Sequence, residues 1–237
     1  AGGVKKREGN GMEIYGYSER GMINAILYDM ALNSNKNNSA MEKFLKLIIK
    51  KDGNKLFEEL KTIRELKIYI EPSFSGFGDP DVLISFISNK EKYVVFFEAK
   101  VKTWHRKSEW RDLDVEKSGV LAQLRNKIDL FEHREEIEKN GFYEKRSIGK
   151  NEIVNKTFKV VCNAQKAFYV GWLPLTDGES FFEKFQDEKN VGLLTWENLR
   201  KIKSLSKRMK LMASNFIYNE SEVNGESRSQ IYFIKDN

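Results

Sequence analysis

The sequence predicts an α/β protein, because strand-like apolar runs and amphipathic helical stretches are both distributed along its 237 residues. The helical stretches repeat apolar residues every three or four positions, whereas the strand-like runs are short and rich in β-branched and aromatic residues. A hydrophobic content of 40% is sufficient for a packed core. Because the sequence has neither internal repeats nor a low-complexity linker, one domain over residues 12–237 is expected after a flexible N-terminal segment of residues 1–11.

Three helices are predicted in the first third of the chain, before the first strand. Ser18 would cap a helix in which apolar residues and one acid share an inward stripe. The stripe consists of Glu19, Met22, Ile23, Ile26 and Met30. Ser39 and Glu42 have the spacing of a capping box at the start of a second helix, and residues 54–65 continue a helical repeat.

Strands are predicted wherever short runs rich in β-branched and aromatic residues are bounded by polar turns. Such runs occupy residues 66–70, 82–88, 93–101, 158–161, 166–173, 191–194 and 231–235. The run at 93–101 is apolar on both faces, which is typical of a central strand. A further helix is indicated by the apolar residues Val120, Leu124, Ile128 and Phe131. The polar stretch 141–157 is expected to be a surface excursion.

The hairpin formed by the second and third of these strands brings charged residues together. If its turn centres on Asn89 and Lys90, Asp81 lies opposite Glu98; a turn centred one residue later places Asp81 opposite Lys100. Glu98 and Lys100 share a strand face, so all three charged side chains project to the same side in either register. Opposed Cβ atoms are roughly 5 Å apart, and two carboxylates at that distance repel unless a cation lies between them. Such oxygen ligands suit Mg²⁺.

These residues form a recognisable motif. Pro80-Asp81, followed after sixteen residues by Glu98-Ala99-Lys100, resembles the motif of the PD-(D/E)XK nuclease superfamily, which includes type II restriction endonucleases. The resemblance implies a restriction endonuclease-like α/β core, with a mixed central β-sheet flanked by α-helices, and Mg²⁺-dependent cleavage of DNA, with Mn²⁺ as a substitute ion. It also implies that Asp81, Glu98 and the carbonyl of Ala99 hold the metal. Lys100 would orient water or stabilise charge on the phosphate, and the general base is left unassigned.

Two positions outside the hairpin also match the family pattern. Such nucleases often carry a glutamate on a helix before the core sheet, and Glu19 would support the metal from there. The alternative is that Glu19 only interacts with the dipole of its own helix. RecB-like members carry a glutamine on the helix after the motif strand, with a tyrosine four residues later. Gln123 matches the glutamine, whereas Lys127 stands in place of the tyrosine. The alternative is that Gln123 faces solvent.

Cations and aromatic residues follow the motif directly, in a chain whose formal net charge is +6. Positive side chains there would meet phosphates beside the metal, and aromatic rings could stack on bases. The residues expected to contact DNA are Lys102, Trp104, Arg106, Lys107 and Arg111. The alternative is a loop whose tryptophans pack into the core. Double-stranded DNA is the expected partner, and cutting both strands of a palindrome would favour a two-fold homodimer.

Several other classes are disfavoured by what the sequence lacks. It contains no run of about eighteen apolar residues, so a membrane-spanning helix is not expected. Cys162 is the one cysteine, which excludes an intrachain disulfide and fits a reducing cytoplasm. Two histidines make no zinc cluster, and neither a P-loop nor a G-x-S-x-G pattern occurs. Two alternatives to a restriction-type enzyme stay open: a non-catalytic nucleic-acid-binding or scaffold protein on a nuclease fold, and a structure-specific DNA repair nuclease.

Overall fold

Strands and helices alternate along the part of the chain that the structure, a computed structural model, describes: residues 19–33, 38–100, 119–173, 178–183, 185, 188–206 and 209. The strands are β1 (Arg64–Ile70), β2 (Val82–Ser88), β3 (Glu91–Ala99), β4 (Phe142–Tyr143), β5 (Arg146–Ser147), β6 (Lys166–Leu173) and β7 (Val191–Thr195). The α-helices are α1 (Glu19–Asn33), α2 (Ser39–Leu45), α3 (Val120–Glu132), α4 (Arg134–Asn140), α5 (Glu152–Cys162) and α6 (Gly178–Glu183). Short 3-10 helices cover Ser75–Phe77 and Trp196–Lys201.

Five of the strands form one mixed sheet in the order β1-β2-β3-β6-β7. The first three strands are antiparallel neighbours, whereas β6 runs parallel to both β3 and β7. The parallel pairing of β3 with β6 requires a crossover, and α3 to α5 lie in that connection. The predicted α/β class, with a mixed central sheet flanked by helices, is therefore confirmed.

Strand β3 is the middle strand, and both of its faces are covered. Val95, Phe97 and Ala99 face a core built with α1, α2 and the segment that ends at Leu205. Val94 and Phe96 face a second core built with α3, α4, α5 and α6. This two-sided burial explains why the strand is apolar at successive positions instead of alternating.

The hairpin between β2 and β3 turns on Asn89 and Lys90, both of which have positive φ, at 52° and 67°. Two central residues with positive φ are what a type I′ turn requires, and this turn matches the twist of the flanking strands. Val82 then pairs with Phe97, and the pairing continues without a bulge to Ser88 opposite Glu91. This register is the one that a turn centred on Asn89 and Lys90 predicts.

Two local predictions of secondary structure are wrong. Residues 54–65 are not a helix: Lys55 forms a backbone bridge to Ile49, which also pairs with Leu193 of β7, and Arg64 already belongs to β1. Residues 158–161 are not a strand, because they form the last turns of α5. The first turn of α5 is capped by the Asn151 side chain, which accepts from the Val154 N–H at 2.8 Å.

The expected capping box also differs from the structure, whereas the expected surface excursion is confirmed for residues 141–147, most of which are exposed. Asn38, and not Ser39, occupies the N-cap position of α2. The Glu42 side chain accepts a hydrogen bond from the Ile63 N–H at 3.0 Å, which ties α2 to the segment that leads into β1. The stretch 141–157 contains the β4–β5 hairpin and the first half of α5. The predicted strand at 231–235 and the segment 1–11 lie outside the described residues.

Replacing Lys90 with glycine is expected to stabilise the protein by about 1 kcal/mol, because a lysine in the left-handed region carries a backbone strain that glycine lacks. Urea unfolding of the Lys90→Gly protein would measure this gain. Lys90→Ala keeps the strained conformation and is the matched control. A loss of stability in the glycine variant would contradict the assigned turn, and with it the strand register.

Candidate active site

The two predicted acids meet at one end of the β2–β3 hairpin. Asp81 directly precedes β2, and Glu98 is the penultimate residue of β3, so the observed register makes them the next opposed pair. The Ala99 N–H donates to Oδ2 of Asp81 at 2.7 Å, which anchors the Asp81 carboxylate to the end of β3. Strand alternation puts both acids on the side of the sheet that Leu83 and Phe96 occupy, under α3. The structure therefore brings these two side chains to the same face.

Glu98 is fully buried, with 0% of its surface exposed. Neither of its carboxylate oxygens receives a hydrogen bond from the described residues. The Lys127 ammonium group forms an ion pair with Oε1 at 3.4 Å, which is long for a hydrogen bond. The pKa of Glu98 is raised to about 8, chiefly by burial; Lys127 and Lys100 oppose the rise, and the charge of Asp81 contributes to it. A buried carboxylate without donors is a costly arrangement that a cation would relieve.

Lys127 is the site residue that sequence reasoning missed. It lies on α3, is 0% exposed, and donates from Nζ to the Phe77 carbonyl at 2.9 Å. Burial lowers the pKa of Lys127, while Glu98, Asp79 and Asp81 oppose this shift. A signal was present, because Lys127 lies on the same helical stripe as Val120 and Leu124, and lysine is rarely fully buried unless it is paired.

Asp81 is half-buried and is connected to the start of α1. Burial raises its pKa, while the bond from Ala99 and the charges of Lys100, Arg20 and Lys127 lower it. Arg20, in the first turn of α1, forms an ion pair with Glu71, and the Glu71 N–H donates to the Asp81 carbonyl at 3.0 Å. These contacts bring the beginning of α1 next to Asp81. Glu19 is the first residue of that helix, and its side chain lies outside what the structure describes.

The other predicted residues are placed as follows. Lys100 follows β3 directly and is half-buried; its N–H donates to the Trp172 carbonyl at 2.9 Å, and its carbonyl accepts from the Trp196 indole at 2.9 Å. Gln123 is half-buried on α3, one turn before Lys127. The expected DNA contacts all lie outside the described residues: Lys102, Trp104, Arg106, Lys107 and Arg111.

The donors around the acid pair fit a hard divalent cation. Asp81 and Glu98 contribute carboxylate oxygens, and Ala99, between Glu98 and Lys100, contributes a backbone carbonyl at the same strand end. No group of three or more His, Cys, Asp or Glu side chains lies close enough to hold a metal within the described ranges. Mg²⁺ does not need such a group, because it usually takes one or two carboxylates and completes its shell with waters and phosphate oxygens.

Fold and site together define a mixed α/β protein in which a buried glutamate and a half-buried aspartate lie at the end of a central hairpin. Comparison with family models, with curated proteins and with solved structures finds no match to this chain. No helix in the described ranges is both long and apolar enough to cross a membrane.

The stability of Glu98→Gln relative to the parent is expected to increase as pH rises from 5 to 8 in the metal-free protein, in addition to a pH-independent cost of removing the partner of Lys127. The folded-state pKa of Glu98, about 8, lies above its ordinary value of 4.5, so the folded parent holds a proton that the unfolded chain releases in this window. The stability that this proton confers is complete below the ordinary value and is lost as pH rises through the folded value. Urea unfolding at several pH values without divalent cations measures the difference.

Glu91→Gln is the control for this pH series. Glu91 lies at the other end of β3, and its pairing with Lys166 lowers its pKa. Its contribution is therefore present above its ordinary pKa and is lost only in acid. A stability difference between parent and Glu98→Gln that stays constant from pH 5 to 8 would contradict the assigned burial of this carboxylate.

Proposed function

We propose that this protein is a Mg²⁺-dependent endodeoxyribonuclease of the PD-(D/E)XK type that hydrolyses DNA phosphodiester bonds, as restriction-type enzymes do. The observation that carries the proposal is the opposed pair Asp81 and Glu98 on one face at the end of the β2–β3 hairpin, with Lys100 two residues after Glu98. A restriction endonuclease-like core is part of this proposal, and the mixed sheet with helices on both faces agrees with it.

The chain's own residues would divide the work of phosphodiester hydrolysis. Asp81, Glu98 and the Ala99 carbonyl would hold Mg²⁺, and Glu19 would support it through water. When bound, the ion acts as a Lewis acid toward a phosphate oxygen and activates water. Lys100 would place a positive charge beside the phosphate, where negative charge grows in the transition state. The two hydrogen bonds to the Lys100 backbone keep its Cα in a defined place at the strand end.

DNA is the proposed substrate because of charge. The chain has a formal net charge of +6, and its cations Lys102, Arg106, Lys107 and Arg111 follow the motif within a few residues. We also propose that the DNA is double-stranded and that the protein acts as a two-fold dimer. The single cysteine, Cys162, suits a reducing cytoplasmic location. A repair nuclease acting on flaps, branches or ends would share the same core.

One observation favours a non-catalytic alternative, a nucleic-acid-binding or scaffold protein on the same fold. Glu98 is fully buried and already paired with the Lys127 ammonium group, so its charge is balanced without a metal. Calorimetric titration with Mn²⁺ separates the two functions. A nuclease binds the ion through Asp81 and Glu98, whereas a scaffold has no need to do so.

Asp81→Ala is expected to abolish Mg²⁺-dependent nicking of plasmid DNA, since it removes a metal ligand. Lys100→Ala is expected to lower the rate by about 10²- to 10³-fold, the usual effect of removing one group that stabilises transition-state charge.

Supercoiled, linear and single-stranded DNA, with RNA alongside, are incubated with and without Mg²⁺ to define the substrate. Discrete fragments from a long duplex indicate a restriction-type enzyme, and preference for flaps or ends indicates repair.

Asp52→Asn is the matched control, because Asp52 is an exposed acid between α2 and β1 whose hydrogen bonds within the described residues are to Asn54. Full activity in either Asp81→Ala or Lys100→Ala would remove the assignment of the site. Unchanged activity in the control together with loss in both site variants is the expected result.

A further inference from the structure

The Lys127 side chain joins three elements that surround the acid pair. From α3 it reaches the Glu98 carboxylate at the end of β3 and the Phe77 carbonyl in the loop that leads to Asp81. Gly78 in that loop has a φ of +74°, and a Cβ there would lie 3.2 Å from Lys127 Nζ. The loop backbone therefore passes directly over the ammonium group, and glycine permits this close approach.

The loop is itself held in a fixed shape on its way to Asp81. The Phe74 N–H donates to the Asp79 side chain at 3.0 Å, which closes the loop on itself two residues before Asp81. Phe74 and Phe77 are both 0% exposed and anchor the loop in the core under α3. The Lys127 ammonium group, which donates to the Phe77 carbonyl, therefore contacts the same short segment that leads to Asp81.

Each acid has one oxygen next to a positive or hydrogen-bonding group of the protein. Oδ2 of Asp81 accepts the Ala99 N–H, and Oε1 of Glu98 forms the 3.4 Å ion pair with the Lys127 ammonium group. Neither oxygen of Glu98 accepts a hydrogen bond within the described part of the chain, so both can still take one from a ligand. Holding one oxygen of a carboxylate fixes the direction of the other, which is how groups behind a metal ligand orient it.

We propose that Lys127 is a positioning residue of the metal site: its ammonium group orients the Glu98 carboxylate and, through the Phe77 carbonyl, the loop that delivers Asp81. This inference rests on the proposed function, because it assumes that Asp81 and Glu98 bind a divalent cation. Lys127 acts through Glu98 and does not touch substrate. This positioning role also explains why position 127 of α3 carries a buried lysine in place of an apolar residue.

The test replaces the ammonium group without changing the shape of the side chain. Lys127→Cys is made in a Cys162→Ala background, and the single thiol is alkylated in the unfolded chain before refolding. An S-aminoethyl group restores a lysine-like ammonium, whereas an S-propyl group has the same length and no charge. Mn²⁺ affinity is measured by calorimetry on both proteins and on the Cys162→Ala parent, and cleavage of supercoiled DNA is measured separately.

The S-aminoethyl protein is expected to bind Mn²⁺ like the parent, and the S-propyl protein about 10- to 100-fold more weakly, the usual effect of losing a group that orients a ligand. Lys166→Met, which removes another lysine–glutamate pair at the far end of β3, is expected to leave Mn²⁺ affinity unchanged. Equal affinity in the two alkylated proteins would overturn the inference. Failure of the S-propyl protein to fold even with Mn²⁺ present would also overturn it, since the ammonium group would then serve the fold alone.

The two proposals fail in different ways. If the parent binds Mn²⁺, the S-propyl derivative binds it more weakly and the parent cleaves no nucleic acid, the nuclease function is rejected and the role of Lys127 is supported. A parent that cleaves DNA, with an S-propyl derivative that binds Mn²⁺ equally well, rejects the role of Lys127 and supports the nuclease.

Discussion

The buried pair of Glu98 and Lys127 is the contact on which the arrangement of the site depends. Both side chains are 0% exposed, so each charge is costly without the other. Their attraction joins α3 to the end of the central strand, and the Phe77 carbonyl extends the contact to the neighbouring loop. Removing one partner would leave the other charge buried and uncompensated. Lys127 on α3 contacts Glu98 on β3 and the loop at Phe77, so the pair constrains these three elements together.

The hairpin turn and the anchoring of Asp81 supply the second constraint. Two residues of positive φ form the turn, and the β2–β3 pairing has no slip. A slip of the strand pairing by one residue would place Asp81 opposite Ala99 and so move the two acids to opposite faces of the sheet. The bond from Ala99 to Asp81 then closes the open end of the hairpin. The geometry of the acid pair thus follows from local structure, whereas the Lys127 ammonium group comes from α3, a helix within the crossover between β3 and β6.

The parts of the structure that were predictable are those in which pattern and local chemistry agree. The bounds predicted for β2 and β6 match the structure, because polar turns bound both apolar runs. Residues 158–161 were misread because an apolar run inside an amphipathic helix looks like a strand when its cap at Asn151 is overlooked. Residues 54–65 carry a helical repeat that backbone pairing with Ile49 overrides. The helical stripe marked Lys127 as an inward residue, but its partners Glu98 and Phe77 are distant along the chain, so the sequence did not show which groups it would contact.

The indole rings near Lys100 have a consequence for how the site can be observed. Trp196 donates its N–H to the Lys100 carbonyl and stacks on Trp172 with ring centroids 4.3 Å apart. Indole emission responds to the hydrogen bond and to the neighbouring ring, so this pair is a native optical reporter for the strand end that carries Glu98 and Lys100. Intrinsic fluorescence can therefore be used to test for binding of the proposed ion without a label.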